Sequence, residues 1–306
     1  MMTEQKNTKP KVAVVGSINM DMVSHSRRLP APGETLMGES FVAAPGGKGA
    51  NQAVAASRLG AAVSFVSRVG TREHGETLLS ALASEGVAFG GSRDPQALPG
   101  IAVIMVASVG GENAIVVIPG SNADLRASDV DAAAAELQSA NVVVAQLEVP
   151  QPPILRAFEI ARAAGRTTVL NAAPALTLVD GLLALTDWLV LNETEAEQLS
   201  GLTDVEAAAQ TLLARGCKAV LITLGADGAL LCNAAGLERF GARKVNAVDT
   251  VGAGDTFVGG LATGLAEGRS AGDAIRLGQA AAAIAVSRSG VQSAMPQRAE
   301  LGAEFV

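Results

Sequence analysis

Residues 11–21 read Lys-Val-Ala-Val-Val-Gly-Ser-Ile-Asn-Met-Asp. A short β-branched run that stops at Gly16 is the pattern of a buried strand, and Ile18-Asn19-Met20-Asp21 after it predicts a loop at the strand's end. Comparable runs recur at 63–69, 142–147, 168–171, 188–191 and 219–224, and helical stretches fall between them at 74–84, 128–140, 153–164 and 205–214. Alternation of this kind predicts an α/β fold, a mainly parallel central sheet with helices on both faces. Residues 101–108 and 114–118, joined by Gly110-Gly111-Glu112-Asn113, break the rhythm and read as a hairpin. The expected organisation is one main domain over residues 1–306, with a small β-sheet lid from noncontiguous segments near 19–45 and 99–120.

With 306 residues, 49% of them hydrophobic, the chain supports a full core and is not disordered. Its net charge of -7 leaves no broad basic face, which argues against nucleic acid as a partner. The polar segment Met1–Lys11 lacks the apolar centre of a signal peptide, and no apolar run is long enough to span a bilayer, so a cytoplasmic protein without a membrane partner is expected. Cys217 and Cys232 are too far apart for a CxxC motif and read as reduced core thiols. The only histidines, His25 and His74, exclude a His-rich metal site and read as surface residues.

Residues 249–257, Asp-Thr-Val-Gly-Ala-Gly-Asp-Thr-Phe, form a polar turn with two glycines that opens into a helix predicted over 254–267, with another over 271–287. Successive backbone N–H groups in such a turn converge on one anion, and the helix dipole adds positive potential. A carboxylate at Asp255 beside that anion hole is placed as the base for phosphoryl transfer to an alcohol. The alternative is that Asp255 caps the helix. Gly46-Gly47-Lys48-Gly49-Ala50-Asn51 is not a P-loop, because Val42 and Gly49 stand where that motif needs Gly and Ser or Thr. Its glycines let backbone approach a small ligand while Lys48 and Asn51 offer donors to hydroxyls; otherwise it is a flexible turn with a solvated lysine.

Asn192-Glu193-Thr194-Glu195 follows a strand at the place where open α/β sheets bind ligands. Asn192 and Glu195 either act on Mg²⁺ through water or start a helix as its cap and acidic first turn. Thr223-Leu224-Gly225-Ala226-Asp227-Gly228 ends another strand in the same way, as a ligand loop or an ordinary glycine turn.

In this order the elements resemble the ribokinase-like family of sugar and nucleoside kinases over nearly the whole chain. Both family signatures are present, residues 46–51 with the helix after them and residues 249–261 around Asp255. Agreement at Gly16-Ser17-Ile18-Asn19-Met20-Asp21, Pro32-Gly33-Glu34-Thr35, residues 46–55, Gln146-Leu147-Glu148 and residues 192–197 is with the ribokinase branch. The resemblance implies ATP-dependent phosphorylation of a small sugar, D-ribose foremost, to its 5-phosphate. It makes Asp255 the base and the amides of Gly252, Ala253 and Gly254 the anion hole. It assigns the sugar to Asn19, Met20, Asp21, Gly47, Lys48, Gly49, Asn51 and Glu148. ATP falls to Asn192, Thr223, Leu224, Gly225, Ala226, Asp227 and Gly228, with Gln279 near the base. Glu195 would organise Mg²⁺ through water.

K⁺ is the expected activator, held by Asp249 with carbonyls of Val251, Ala285, Arg288 and Gly290. The lid's exposed edges predict a homodimer through it. Related readings are a 2-deoxyribose or other sugar kinase, a nucleoside kinase, and a catalytically silent sugar sensor. An aromatic content of 3%, with one Trp and no Tyr, favours a bare sugar over a nucleoside. Two departures bear on these expectations: Ser293-Ala294 stands where relatives commonly carry Pro-Ser, displacing a hydroxyl from the cation site, and Pro99 replaces a Thr before Gly100.

Overall fold

The structure, a computed structural model, describes residues 9–305, so the first eight residues of the polar segment 1–11 lie outside it. In chain order the strands are β1 (Lys11–Val15), β2 (Asn19–Ser26), β3 (Ser40–Gly46), β4 (Ala62–Val66), β5 (Arg68–Gly70), β6 (Val87–Phe89), β7 (Ser92–Asp94) and β8 (Gly100–Ala107). They continue with β9 (Asn113–Ile118), β10 (Val142–Gln146), β11 (Thr167–Asn171), β12 (Trp188–Asn192), β13 (Ala219–Thr223), β14 (Ala229–Asn233) and β15 (Gly236–Phe240). The helices are α1 (Lys48–Arg58), α2 (Gly75–Ser84), α3 (Ala127–Ala132), α4 (Ala134–Ser139), α5 (Gln151–Ala163), α6 (Glu193–Ser200), α7 (Val205–Leu213), α8 (Ala253–Ala266) and α9 (Ala271–Ala285).

Nine strands form one sheet in the order β15-β14-β13-β12-β11-β10-β1-β4-β6, parallel from β13 to β6, with β14 and β15 added as an antiparallel hairpin. Alternate residues of each strand serve opposite faces. Val12 and Val14 join the core made with α1, α2, α8 and α9, whereas Ala13 and Val15 join the core made with α3, α4, α5 and α7. Burial on both faces explains why the strands read as continuous apolar runs rather than as alternating ones. The chain winds outward from β1 to β4 on one side and returns to β10 on the other, so the topological switch lies between β1 and β10. Ligands of open α/β sheets bind at the carboxyl ends of the strands flanking such a switch.

The second sheet has the order β3-β2-β8-β9 and grows directly from the end of β1. Its β8–β9 pair is the hairpin expected from the glycine turn at 110–111. Residues 18–21, expected as a loop, begin strand β2 at Asn19, because that segment is bonded on both sides, with Asn19 opposite Gly46 and Gly100. Ladder pairing with distant segments overrides local composition here. Helix α1 starts at Lys48 rather than after Asn51, with Gly47 at φ 89° supplying the turn. The expected helix 128–140 is split at Ala133 into α3 and α4. Cys217 and Cys232 are buried and free, as expected, whereas His25 and His74 are half-buried.

Helix α8 is held by close packing of small residues: a Cβ on Gly260 would stand 2.7 Å from Cα of Gly278 on α9. Gly260→Ala is therefore expected to cost about 1–3 kcal/mol of stability through overpacking, read as a lower urea midpoint. An unchanged midpoint would contradict this account of how α8 is seated.

Candidate active site

Asp255 lies in the first turn of α8, and Gly252, in the left-handed region at φ 75°, is the residue that caps that helix. The Asp255 side chain therefore does not act as the N-cap. It points into the protein, buried, where Oδ2 accepts Nδ2 of Asn51 at 2.9 Å and Oδ1 accepts Nε2 of Gln52 at 2.9 Å. Both donors come from the first two turns of α1, so the 46–51 motif and the 249–257 motif meet at one carboxylate. Gln52 Nε2 also donates to Oδ1 of Asn171 at the end of β11, and Asn171 donates to the carbonyl of Val190. Burial pushes the Asp255 carboxyl above the ordinary Asp value and Glu148 adds to this, while Lys48 and the bonds from Asn51 and Gln52 act in the opposite direction.

Lys48 is half-buried. Burial pulls its ammonium down, but the carboxylates of Asp255, Glu148 and Glu195 outweigh that and hold it above the ordinary Lys value. Oε2 of Glu148, just beyond β10, accepts the Lys48 backbone N–H at 3.0 Å and the Ser17 hydroxyl at 2.6 Å. Ser17 Oγ in turn accepts the N–H of Gly49. Met20 is buried beside Asn19 at the start of β2, with Gly47 and Gly49 at the start of α1. Asn19 Oδ1 accepts Nδ2 of Asn122 at 2.8 Å.

The Asp21 carboxylate lies against Gly46, where an added Cβ would stand 2.0 Å from Oδ2, so glycine is needed there for the side chain to fit. Burial pushes the Asp21 carboxyl up to about 7, and the charges of Glu148 and Asp255 add to that rise. Lys48 and the carboxylates of Asp21, Glu148, Asp255 and Glu195 thus form one electrostatic cluster.

Asn192 and Glu195 form a reciprocal cap on α6: Asn192 Oδ1 accepts the Glu195 N–H at 2.8 Å and Glu195 Oε2 accepts the Asn192 N–H at 2.9 Å. The capping alternative is thus present. Only one oxygen of Glu195 is used, and its carboxyl is raised by burial, with the Asn192 N–H and Lys48 opposing this and Asp255 adding to it. Glu195 therefore belongs to the same electrostatic cluster as Asp255. Residues 223–228 form a tight turn at the end of β13, with Leu224 N bonded to Gly228 O and positive φ at Gly225 and Gly228; Ala226 and Asp227 lie on its exposed side.

Gln279 Nε2 donates to the carbonyl of Phe240 at 3.2 Å, and its side chain lines a cavity of about 350 Å³ with Phe240, Arg243 and Arg276. A larger cavity of about 590 Å³ is bounded by residues 175–181 and contains none of the candidate residues. Asp249 joins the glycine turn to the segment after α9, accepting N–H groups of Val251 at 3.0 Å and Gly290 at 3.2 Å. The carbonyl of Ala285 accepts the N–H of Arg288. The amides Gln52, Gln146, Asn171 and Gln292 were not singled out as site residues from sequence; a polar residue within an apolar run was the available signal for the first three, and Gln292, in a polar segment, offered none.

A mainly parallel sheet, a second sheet over its carboxyl edge and a buried carboxylate at a glycine turn together build a cleft suited to a small ligand and an anion. The family model described as pfkB family carbohydrate kinase matches residues 9–298, and the chain belongs to that family. It is 42% identical to a ribokinase of Haemophilus influenzae over 94% of this chain and 96% of that protein. Among solved structures, it superposes on a ribokinase of Thermotoga maritima with TM-score 0.87 at 35% identity, covering 94% of this chain and 97% of that one. A ribokinase of Arabidopsis thaliana complexed with ribose and ATP gives TM-score 0.83 at 30% identity, covering 95% and 97%.

The raised Asp21 carboxyl has a consequence for stability. In the unfolded chain this group titrates near 3.8, so between that pH and about 7 the folded state holds the extra proton, and stability is lost as pH rises through this window. Asp21→Asn should raise the melting temperature of the sugar-free protein at pH 8 by on the order of 5 °C, with the gain vanishing near pH 4. Equal gains at pH 4 and pH 8 would contradict the assignment.

Proposed function

We propose that this kinase transfers the γ-phosphoryl group of ATP to the 5-hydroxyl of D-ribose, with Asp255 as the base. The observation that carries the reading is the Asp255 carboxylate itself, buried, held at both oxygens by side-chain amides, and set in the first turn of a helix behind a glycine turn. The ribokinases described above supply the substrate class. Asn19, Met20, Asp21, Gly47, Lys48, Gly49, Asn51 and Glu148 surround the sugar in this reading. A carboxylate such as Asp21 accepts bonds from two adjacent hydroxyls once it is ionised. Asp255 takes the proton of the attacking hydroxyl. The N–H groups of Gly252 and Gly254, with that of Ala253 once it leaves its 3.3 Å bond to the Thr250 carbonyl, and the α8 dipole stabilise the charge on the transferring group in this reading.

Asn192, Thr223 to Gly228 and Gln279 line the nucleotide side. The free oxygen of Glu195 fits the role of holding Mg²⁺ through water, and the ion when bound neutralises charge on the phosphate oxygens. Each Asp249 oxygen accepts one N–H and retains lone pairs, so Asp249 would hold K⁺ together with the carbonyls of Val251, Ala285, Arg288 and Gly290 in this reading. Ser293, whose Oγ lies against Gly290, is the proposed hydroxyl for that site, since Ala294 offers none. The main domain and the lid of β2, β3, β8 and β9 work as one unit in this reading.

The edge strand β9 exposes Ile115, Val116, Val117 and Ile118, each more than 40% accessible. An apolar edge of this kind is blunted by pairing, and a second copy of this chain through the lid is the proposed partner. Among the described residues no helix is long and apolar enough to cross a membrane, and the cytoplasm is the proposed site of action.

Two measurements test these statements. A coupled assay over ribose, 2-deoxyribose, fructose, adenosine and pseudouridine should give ribose the highest kcat/KM, about 10-fold or more above 2-deoxyribose, because a lost bond to a charged acceptor carries that scale. Equal efficiency on both pentoses would remove the diol-recognition argument, preference for a nucleoside would reassign the substrate, and binding without turnover would favour the sensor. Asp255→Asn should leave sugar and ATP binding nearly intact and lower kcat by roughly 10²-fold or more; near wild-type kcat would take Asp255 out of the mechanism.

A further inference from the structure

A carboxylate only accepts hydrogen bonds, so the two carboxamides that meet Asp255 must both present their NH₂ groups to it. Each then turns its carbonyl away, and in both cases a second glutamine supplies a donor to that carbonyl. Gln292 Nε2 donates to Asn51 Oδ1 at 3.0 Å, and Gln146 Nε2 donates to Gln52 Oε1 at 2.6 Å. Two parallel chains result, Gln292 to Asn51 to Asp255 and Gln146 to Gln52 to Asp255, one on each carboxylate oxygen.

We propose that Gln146 and Gln292 are positioning residues for phosphoryl transfer, each locking an inner carboxamide N–H-first against Asp255 so that its carboxylate stays aimed and ready to accept a proton. The proposal rests on the reading of Asp255 as the base. Neither glutamine forms a hydrogen bond with Asp255; they act through Gln52 and Asn51. An inner amide without its outer donor keeps an unpaired carbonyl and loses one restraint on its orientation; at Gln52 the bond to Asn171 Oδ1 remains, whereas among the described residues Asn51 has no such second restraint.

The anchoring of the two outer residues supports this role. Gln146 is fully buried at the end of β10, and its Oε1 has no hydrogen-bond partner, so its donor end is the part the fold uses. That oxygen occupies the space of a side chain at Gly16, where a Cβ would stand 2.0 Å away. An unpartnered buried carbonyl is costly, and a hydrocarbon of similar shape would avoid that cost while losing the donation to Gln52. Gln292 comes from the segment after α9 that Asp249 fastens through the Gly290 N–H. The glycine turn, that segment and the base are therefore linked through one amide.

The test is the single-turnover rate of phosphoryl transfer to ribose as a function of pH, in wild type, Gln146→Met, Gln292→Met and Asp255→Asn, with thermal melts to verify folding. The charged groups around Asp255, namely Lys48 on α1, Glu148 after β10, Asp21 on β2 and Glu195 on α6, are left in place. Losing an oriented donor disfavours the ionised carboxylate, so the acid limb of the profile moves to higher pH. Each Met variant should shift that limb by about one pH unit and lower the transfer rate at neutral pH by about 10-fold. For Gln146→Met the sugar concentration giving half-maximal rate should change by less than about twofold, since neither Gln146 nor Gln52 is assigned to the sugar.

An unmoved acid limb in a folded Gln292→Met protein would overturn the proposal, and this variant alone decides it if Gln146→Met does not fold. The two readings fail separately. Fast transfer by Asp255→Asn removes the base itself, whereas a slow Asp255→Asn with unshifted glutamine variants removes only the positioning role.

Discussion

The constraint on which the site depends is the burial of one carboxylate. Asp255 has little contact with water, and a buried charge is tolerated only where hydrogen bonds and opposite charge replace hydration. Here two carboxamides and the Lys48 ammonium do so. That requirement fixes the rest: α1 must run past the first turn of α8, and the end of β10 must deliver Gln146 beneath α1. Small residues on α8 make the approach possible, since a Cβ on Gly259 would stand 2.5 Å from the Cβ of Ala55 on α1. The high alanine and glycine content of these helices is thus a geometric condition for the chemistry.

The same burial accounts for the electrostatics of the cleft. Glu148, Asp255 and Glu195 act on one lysine, and burial with repulsion from Glu148 and Asp255 raises the Asp21 carboxyl to about 7. A sugar brings hydroxyl donors into such a site, and a carboxylate that gains donors is more easily ionised. The second sheet is part of this arrangement, because β2 leaves the end of β1 and carries Asn19 and Asp21 directly over it.

What was legible in the sequence was what is local. Period and punctuation marked the parallel strands, the 110–111 hairpin and the glycine turn ahead of α8. The resemblance, in turn, named Asp255 and Asn51 but not Gln52, the second donor to that carboxylate. Features set by distant partners were not legible. Residues 18–21 have the composition of a loop and become a strand because segments near 46 and 100 pair with them. Gln52 lies in an alanine-rich helical run, and nothing in its neighbourhood indicates that it bonds a carboxylate 203 positions away or receives a bond from a glutamine 94 positions away. The ambiguity at Asn192 and Glu195 persisted for a physical reason: capping uses one oxygen of each, and the same side chains retain atoms for a ligand.

The central claim is that Asp255 is a buried carboxylate that can take a proton from a sugar hydroxyl at the pH where the kinase works. Carbon-13 NMR titration of the Asp255 side-chain carboxyl, assigned by comparison with Asp255→Asn, tests this most directly. The account predicts a titration midpoint above the ordinary Asp value, because burial raises it, with the carboxyl ionised at neutral pH in the sugar-bound protein. A carboxyl still protonated at pH 8 with sugar bound would contradict the account.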